Sequence, residues 1–129
     1  MDQAEQMARL RLIRTRNIGP MTYGLLMRRY GSATDAVAAI PAMARRGGRH
    51  ISLASLASVK AELELTDAAG AVLLWRDSEY YPDCLAQYDD KPNCVKAKGN
   101  LHLLNQPMIA IVGTRNTSIN NQRHAQNSR

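Results

Sequence analysis

Apolar residues recur at helical spacing through the first 70 residues and predict a small bundle of short helices. The clearest stripe lies at 20–30, where Tyr23, Leu26, Met27 and Tyr30 follow the i, i+3, i+4, i+7 pattern of one helix face. The pattern, with its capping and turn residues, predicts helices at 4–14, 20–30 and about 33–45, and a fourth that begins at Ser52 or Ser55 and ends at Gly70. The inner face of the fourth helix is expected to carry Leu56, Val59 and Leu63.

Beyond residue 70 the pattern changes to short apolar runs separated by turn residues. AVLLW at 71–75 and NCVKAKGN at 93–100 have the length of strands. Pro82 can open a single helical turn that contains Leu85, and a second helical turn is expected at 101–105. MIAIV at 108–112, between Pro107 and Gly113, is a continuous apolar run of the kind found in buried strands of parallel sheets.

The composition is that of a soluble globular chain with a mainly aliphatic core, since it has no Phe and only one Trp. No run reaches the roughly 18 apolar residues of a membrane span, and the N-terminus has no apolar signal segment, so we expect a cytoplasmic protein. Cys84 and Cys94 stand apart from any Cys/His cluster, which predicts free, part-buried thiols with no structural metal and no disulfide. No nucleophile–base pair or carboxylate pair indicates an enzyme, and no cofactor is expected.

The positive charge of the chain is concentrated in its last third. The net charge is +6, and residues 1–90 contain as many acidic as basic residues. Residues 91–129 contain no acidic residue, and their basic residues are Lys91, Lys96, Lys98, Arg115, Arg123 and Arg129. Such an asymmetry attracts polyanions and is typical of nucleic-acid-binding segments, although a solubilising basic tail would look the same.

The sequence IVGTRNTS, after the apolar run at 108–112, has the residue types of an anion-binding turn. Gly113 would let backbone N–H groups approach an anion, Thr114 and Ser118 offer hydroxyls, and Arg115 has a guanidinium that matches phosphate oxygens. A helix that starts near Ser118 would point its positive end at the same place. The pattern alone is weak, because it has neither the three glycines of a dinucleotide-binding fingerprint nor the lysine of a phosphate-binding loop.

Several motifs along the chain together resemble the DNA-processing protein A (DprA, also called Smf) family. They are RLRLIRTRNIGP, LLMRRYGSATDAVAAIP, YYPDCLAQYDDKP, VKAKGNLHLLNQP and IAIVGTRNTS, in that order. The resemblance implies a SAM-like, helix-hairpin-helix-like helical domain at 1–70, a connector with short strands at 71–107, and the start of a Rossmann-like domain of the α/β class at 108–129.

The resemblance also implies a function in binding rather than catalysis. Family members hold single-stranded DNA that enters bacteria during natural transformation, protect it from nucleases and load the RecA recombinase onto it. By position, the phosphate contacts would come from Gly113, Thr114 and Arg115, with Asn116 and Ser118 as neighbours. Lys91, Lys96, Lys98 and Arg123 would add positive field.

The chain departs from the family pattern after Ser118. Asn121 stands where a glycine is expected, and QRHAQNSR contains no apolar residue larger than Ala125, so a helix here could not pack on a sheet. This polar character argues against a replacement helix. We therefore expect a Rossmann-like domain truncated after its first glycine turn, a less stable segment beyond about residue 105, and loss of the surfaces for dimerisation and for RecA.

Two other functions remain open from the residues alone. The helical bundle could be an interaction module for a protein or for duplex DNA, but the balanced charge of residues 1–90 does not favour DNA. The chain could also be a fragment of a nucleotide-binding Rossmann enzyme that uses Gly113 in its phosphate loop.

Overall fold

The computed structural model describes residues 1–48 and 50–128, and in this part of the chain four helices come first. Their bounds are α1 Gln3–Arg14, α2 Pro20–Tyr30, α3 Ala33–Arg45 and α4 Leu56–Ala68. These bounds confirm the helical bundle predicted for the first 70 residues. The elements that follow are β1 Val72–Trp75, α5 Asp83–Ala86, β2 Cys94–Ala97, a 3₁₀ helix at Leu101–Asn105 and α6 Ile119–Asn127.

Capping residues explain where the helices of the bundle begin and end. Asp2, Ser32 and Ser55 are the N-caps of α1, α3 and α4, and each side chain accepts a hydrogen bond from the backbone N–H three residues later. Ser55, not Ser52, is therefore the start of the fourth helix. Gly31 ends α2 with a φ of 80°, a left-handed conformation that glycine adopts without strain.

The main core of the bundle lies between α1, α2 and α3. Its buried residues are Ala8, Leu12, Ile18, Tyr23, Leu26, Ala33, Ala36 and Ile40. The predicted stripe on α2 is confirmed, but the prediction for Leu56 is wrong because this side chain is 56% exposed. Leu56 is the first residue of α4, and Ile51 and Leu53 of the preceding segment pack against the core instead.

The two predicted strands form a small antiparallel sheet that packs on the helices. Val72 pairs with Ala97, and Trp75 pairs with Cys94 at the other end of the four-residue register. A second core cluster joins Leu10 of α1, Val59 of α4 and Trp75 of β1, all at most 2% exposed. The sheet thus covers one side of the α1–α4 pair.

Ion pairs add polar contacts between the helices and the sheet region. Arg9 of α1 donates two hydrogen bonds to Asp77, from Nη1 to Oδ1 at 2.7 Å and from Nη2 to Oδ2 at 2.9 Å. Glu62 of α4 lies 2.8 Å from Arg14 Nη2 and 3.0 Å from Lys96 Nζ of β2. The domain boundary at residue 70 remains a prediction. The ion pairs that cross this boundary provide a way to test it.

The prediction of a buried strand at 108–112 is wrong. These residues form no strand, and Ile109 and Val112 are 87% and 92% exposed. A strand needs a neighbour for its backbone hydrogen bonds, and in the described residues the sheet contains only β1 and β2. The start of a Rossmann-like sheet, expected from the resemblance, is therefore not confirmed.

The expectation of no helix after Ser118 is also wrong. The Ser118 hydroxyl caps α6, whose sequence contains neither Gly nor Pro, and no residue of α6 is buried. Polar side chains thus prevent burial of this helix but not its formation. No hydrogen bond joins residues 107–128 to the described residues before them.

Candidate nucleic-acid interface

The predicted anion-binding turn at 113–118 lies between the exposed run at 108–112 and α6. The Thr114 hydroxyl donates a hydrogen bond to the backbone carbonyl of Asn116 at 2.9 Å. The Ser118 hydroxyl accepts one from the Asn121 N–H at 3.4 Å and begins α6. Both hydroxyls therefore help to fix the conformation of the turn. The Thr114 hydroxyl uses its proton in this way, whereas the Ser118 hydroxyl acts as an acceptor and keeps its own proton for donation.

The donors of this turn best suited to an anion are a guanidinium and backbone N–H groups. Arg115 is exposed and forms no ion pair or side-chain hydrogen bond with the described residues. The first N–H groups of any helix lack an intrahelical acceptor, and at α6 these belong to Ile119 and Asn120. The helix dipole adds partial positive charge at the same end. The turn is thus suited to an anion such as a phosphate.

An open cleft of about 810 Å³ lies between residues 111–117 and α6. Ile111 and Val112 line one side, and Asn121, Gln122 and His124 line the other. Of the predicted site residues, Gly113 and Thr114 line this cleft, whereas Arg115, Asn116 and Ser118 do not. The cleft combines apolar surface with amide and imidazole groups that can donate and accept hydrogen bonds.

The four predicted auxiliary basic residues divide into two pairs. Lys96 is bound to Glu62, and Lys91 Nζ donates to the carbonyls of Ala86 at 2.6 Å and Tyr88 at 3.1 Å. These two lysines therefore have structural partners. Lys98, just after β2, and Arg123, on α6, have no ion pair with a described residue. Among the described residues, only Lys96 of the four has an acidic partner, and Lys98 and Arg123 have neither an acidic partner nor a side-chain hydrogen bond.

The two cysteines differ in exposure. Cys94 is half-buried, as predicted, and burial raises the pKa of its thiol to about 11, so it stays protonated at neutral pH. Cys84 is exposed, which corrects the prediction that it is part-buried. Within residues 1–48 and 50–128, no group of His, Cys, Asp and Glu has the arrangement of a metal site. In the same residues no helix is both long and apolar enough to cross a membrane.

A second cavity, of about 230 Å³, was missed by the sequence analysis. It lies between α2 and the turn after β1, and Tyr23, Arg28 and Arg76 are among its lining residues. The apolar stripe predicts the position of the Tyr23 ring, but it does not show that the hydroxyl has no hydrogen-bond partner among the described residues. Gly24 beside Tyr23 was the only local feature that could have suggested a close approach here.

Two family models match the chain. Residues 3–64 match a model described as the DprA-like N-terminal HHH domain. Residues 72–128 match a model described as DNA recombination-mediator protein A. A comparison with curated proteins found no match.

Proposed function

This chain belongs to the DNA recombination-mediator protein A family, and from this membership we propose that it binds single-stranded DNA through the turn at 113–118. The role is one of binding, in DNA uptake and recombination in the cytoplasm. Protection of the strand and loading of RecA are the later steps that the resemblance implies. The observation that carries the proposal is the position of Arg115, which has no ion pair or side-chain hydrogen bond with a described residue, in the segment that matches the recombination-mediator model.

The proposed contacts use the donors of the turn that are best suited to a phosphate. The Arg115 guanidinium would donate to the oxygens of one phosphodiester group, and the N–H groups of Ile119 and Asn120 would face the same or the next phosphate. Thr114 and Ser118 would hold the turn in shape through their bonds to Asn116 and Asn121. Gly113 would leave room for the backbone of the strand.

The cleft beside the turn gives a place for bases. Ile111 and Val112 offer apolar surface, and the side chains of Asn121, Gln122 and His124 offer hydrogen bonds. These residues include no aromatic ring other than the imidazole, so strong stacking is not expected. We therefore expect binding that depends mainly on phosphate contacts and falls steeply with salt.

The test is fluorescence anisotropy of a labelled oligo-dT at low and moderate salt. Arg115→Ala removes a charge-assisted contact worth about 1.5–3 kcal/mol, so the affinity at low salt should fall roughly tenfold or more. The slope of log affinity against log salt should also decrease by about 0.7, the contribution of one phosphate contact on a single strand.

Arg16→Ala is the matched control, because Arg16 is exposed, lies in the α1–α2 loop and carries the same charge. This variant should bind like the unmodified protein. The proposal fails if the unmodified protein does not bind oligo-dT at low salt. It also fails if the two variants lose affinity equally, since a general charge effect would then account for the loss.

A further inference from the structure

The cavity between α2 and the turn after β1 brings together several hydrogen-bond donors. Its volume is about 230 Å³, and its polar lining residues are Arg9, Tyr23, Arg28, Arg76 and Asp77. A smaller adjoining cavity shares Arg28 and Arg76. A volume below the roughly 300–1,000 Å³ of small-molecule pockets suits a phosphate-sized group better than a whole nucleotide.

The hydroxyl of Tyr23 is the first of these donors. Tyr23 is 2% exposed, and its hydroxyl has no hydrogen-bond partner among the described residues. A buried polar group without a partner is unfavourable, and such a group in a native protein calls for an explanation. Burial raises the pKa of this hydroxyl to about 12, so at neutral pH it carries its proton and can donate it to an acceptor.

Two guanidinium groups lie near Gly24 at the same cavity. A Cβ added to Gly24 would lie 3.6 Å from Arg76 Nη1 and 3.7 Å from Arg28 Nη1. Arg76 donates to the Asn93 side chain at 3.1 Å, and Arg28 forms no hydrogen bond or ion pair with a described residue. Two positive charges beside one cavity favour a bound anion there.

The carboxylates nearby form no ion pair with Arg28 or Arg76 among the described residues. The pKa of Asp77 is lowered mainly by hydrogen bonds from Arg9, and the charge of Arg76 helps to lower it. Both carboxylate oxygens of Asp77 accept hydrogen bonds from Arg9. Asp89 lines the adjoining cavity and forms no ion pair with a described residue, so it lies more than 4.0 Å from either guanidinium. Arg28, Arg76 and the Tyr23 hydroxyl are therefore three donors at this cavity that can bind an added acceptor, Arg76 in addition to its bond to Asn93.

We propose that this cavity is an oxyanion site that takes a phosphate group, bound by Arg28 and Arg76 and hydrogen-bonded by the Tyr23 hydroxyl. The site is made by α2 and the residues after β1 and is separate from the turn at 113–118, so it does not depend on DNA binding there. A phosphodiester of a nucleic acid and a free phosphate monoester offer the same oxygens.

The test is thermal unfolding of the whole chain against increasing inorganic phosphate, with chloride adjusted to keep the ionic strength constant. The unmodified protein should show a saturable rise in Tm, since a ligand that binds only the folded state stabilises it. Arg28→Gln and Tyr23→Phe should weaken phosphate binding by at least about tenfold, as expected for loss of a hydrogen bond to a charged group. Arg16→Gln, which makes the same charge change at an exposed position, should respond like the unmodified protein.

Tyr23→Phe gives a second measurement that does not depend on phosphate. Because the hydroxyl has no hydrogen-bond partner among the described residues, this variant should unfold at the same or a higher Tm without phosphate. A lower Tm would show that the hydroxyl already has a partner and would count against the site. The proposal is overturned if phosphate does not raise the Tm of the unmodified protein. It is also overturned if phosphate raises the Tm of Arg28→Gln as much as that of the unmodified protein.

Anisotropy with oligo-dT and unfolding with thymidine monophosphate separate the two sources of the phosphate. If Arg28→Gln weakens the binding of oligo-dT as well as of inorganic phosphate, the site takes a nucleic-acid phosphodiester. If it abolishes only the effects of inorganic phosphate and the monophosphate, the site takes a free phosphate monoester. Arg115→Ala should leave the Tm response to inorganic phosphate unchanged, so failure of DNA binding at the turn would not imply failure of this site.

Discussion

Replacing Glu62 with Gln should lower the free energy of unfolding by about 1–3 kcal/mol at pH 7. The carboxylate of Glu62 accepts hydrogen bonds from Arg14 Nη2 at 2.8 Å and Nε at 2.9 Å, and Lys96 Nζ lies 3.0 Å away. It therefore connects α4 with both α1 and β2. Gln keeps the shape of the side chain but loses its charge, so the change removes the ionic part of these contacts.

The magnitude comes from the pKa of Glu62 and the exposure of its partners. Hydrogen bonds from Arg14, opposed by desolvation and supported by Lys96, lower this pKa from 4.5 to about 2. A shift of this size corresponds to about 3 kcal/mol at 1.36 kcal/mol per unit, and we take it as an upper value. Arg14 and Lys96 are 46% and 44% exposed, so solvent screening reduces the effect.

The pH dependence has a definite sign. Because folding lowers the pKa of Glu62, its contribution is fully present above the unfolded value near 4.5 and is lost as pH falls towards about 2. The difference in stability between the unmodified protein and Glu62→Gln should therefore be largest at pH 7 and shrink between pH 4.5 and 2. At the acidic end the two proteins should have similar stability.

The assay is urea unfolding at pH 7, 4 and 2.5, followed by far-UV circular dichroism for the helices and by tryptophan fluorescence for the sheet. Trp75, the single tryptophan, lies in β1 and is 2% exposed, so its emission reports on the contact between sheet and helices. Coincident transitions would mean that the helices and the sheet unfold together. Separate transitions would favour the predicted domain boundary at residue 70.

Glu64→Gln is the matched control on the same helix. Glu64 is 68% exposed, and its only ion pair with a described residue is with Lys60 at 4.0 Å, so its stability change should stay within about 0.5 kcal/mol. The reasoning is refuted if Glu62→Gln changes stability no more than Glu64→Gln does. An equal deficit of Glu62→Gln at pH 7 and pH 2.5 would also refute it.

Two further predictions concern core packing and local stability. Leu10→Ala should lower the free energy of unfolding by about 2–5 kcal/mol, because Leu10 is 0% exposed and belongs to the core cluster with Val59 of α4 and Trp75 of β1. Leu65→Ala, at a 71% exposed position of α4, should change it by less than about 0.5 kcal/mol. Equal effects in urea titrations would contradict this. Backbone amides of residues 108–128 should exchange with deuterium much faster than those of α1, because no hydrogen bond joins this segment to the rest of the described chain. Equal protection of the two segments from exchange would contradict this.

The helices could be predicted from the sequence because local patterns determine them. The stripe from Tyr23 to Tyr30, the caps at Ser32 and Ser55 and the break at Gly31 are all contained within a few residues of each helix. The two strands could be located in the same way. Their pairing and their packing on α1 and α4 could not, because contacts such as Arg9–Asp77 join residues 68 positions apart.

The wrong predictions after residue 107 also come from the difference between local patterns and contacts with distant residues. An apolar run such as 108–112 becomes a strand only when another strand offers it backbone hydrogen bonds, and no property of the run itself supplies that partner. A helix, in contrast, forms its backbone hydrogen bonds within itself. For α6, the Ser118 cap and the following residues, which tolerate helical backbone, are sufficient. Local residues thus account for α6, whereas the surroundings of 108–112 depend on contacts with other parts of the chain.

The charge argument for DNA binding also changes once contacts are known. The excess of basic residues after residue 90 directed the prediction of phosphate binding to the last third of the chain. However, Lys96 is bound to Glu62, and Lys91 is bound to backbone carbonyl groups. In contrast, Arg28 lies in the part with balanced charge and has no acidic partner among the described residues. The capacity to bind phosphate follows from which cations lack partners, and by that criterion Arg28 is as strong a candidate as Arg115.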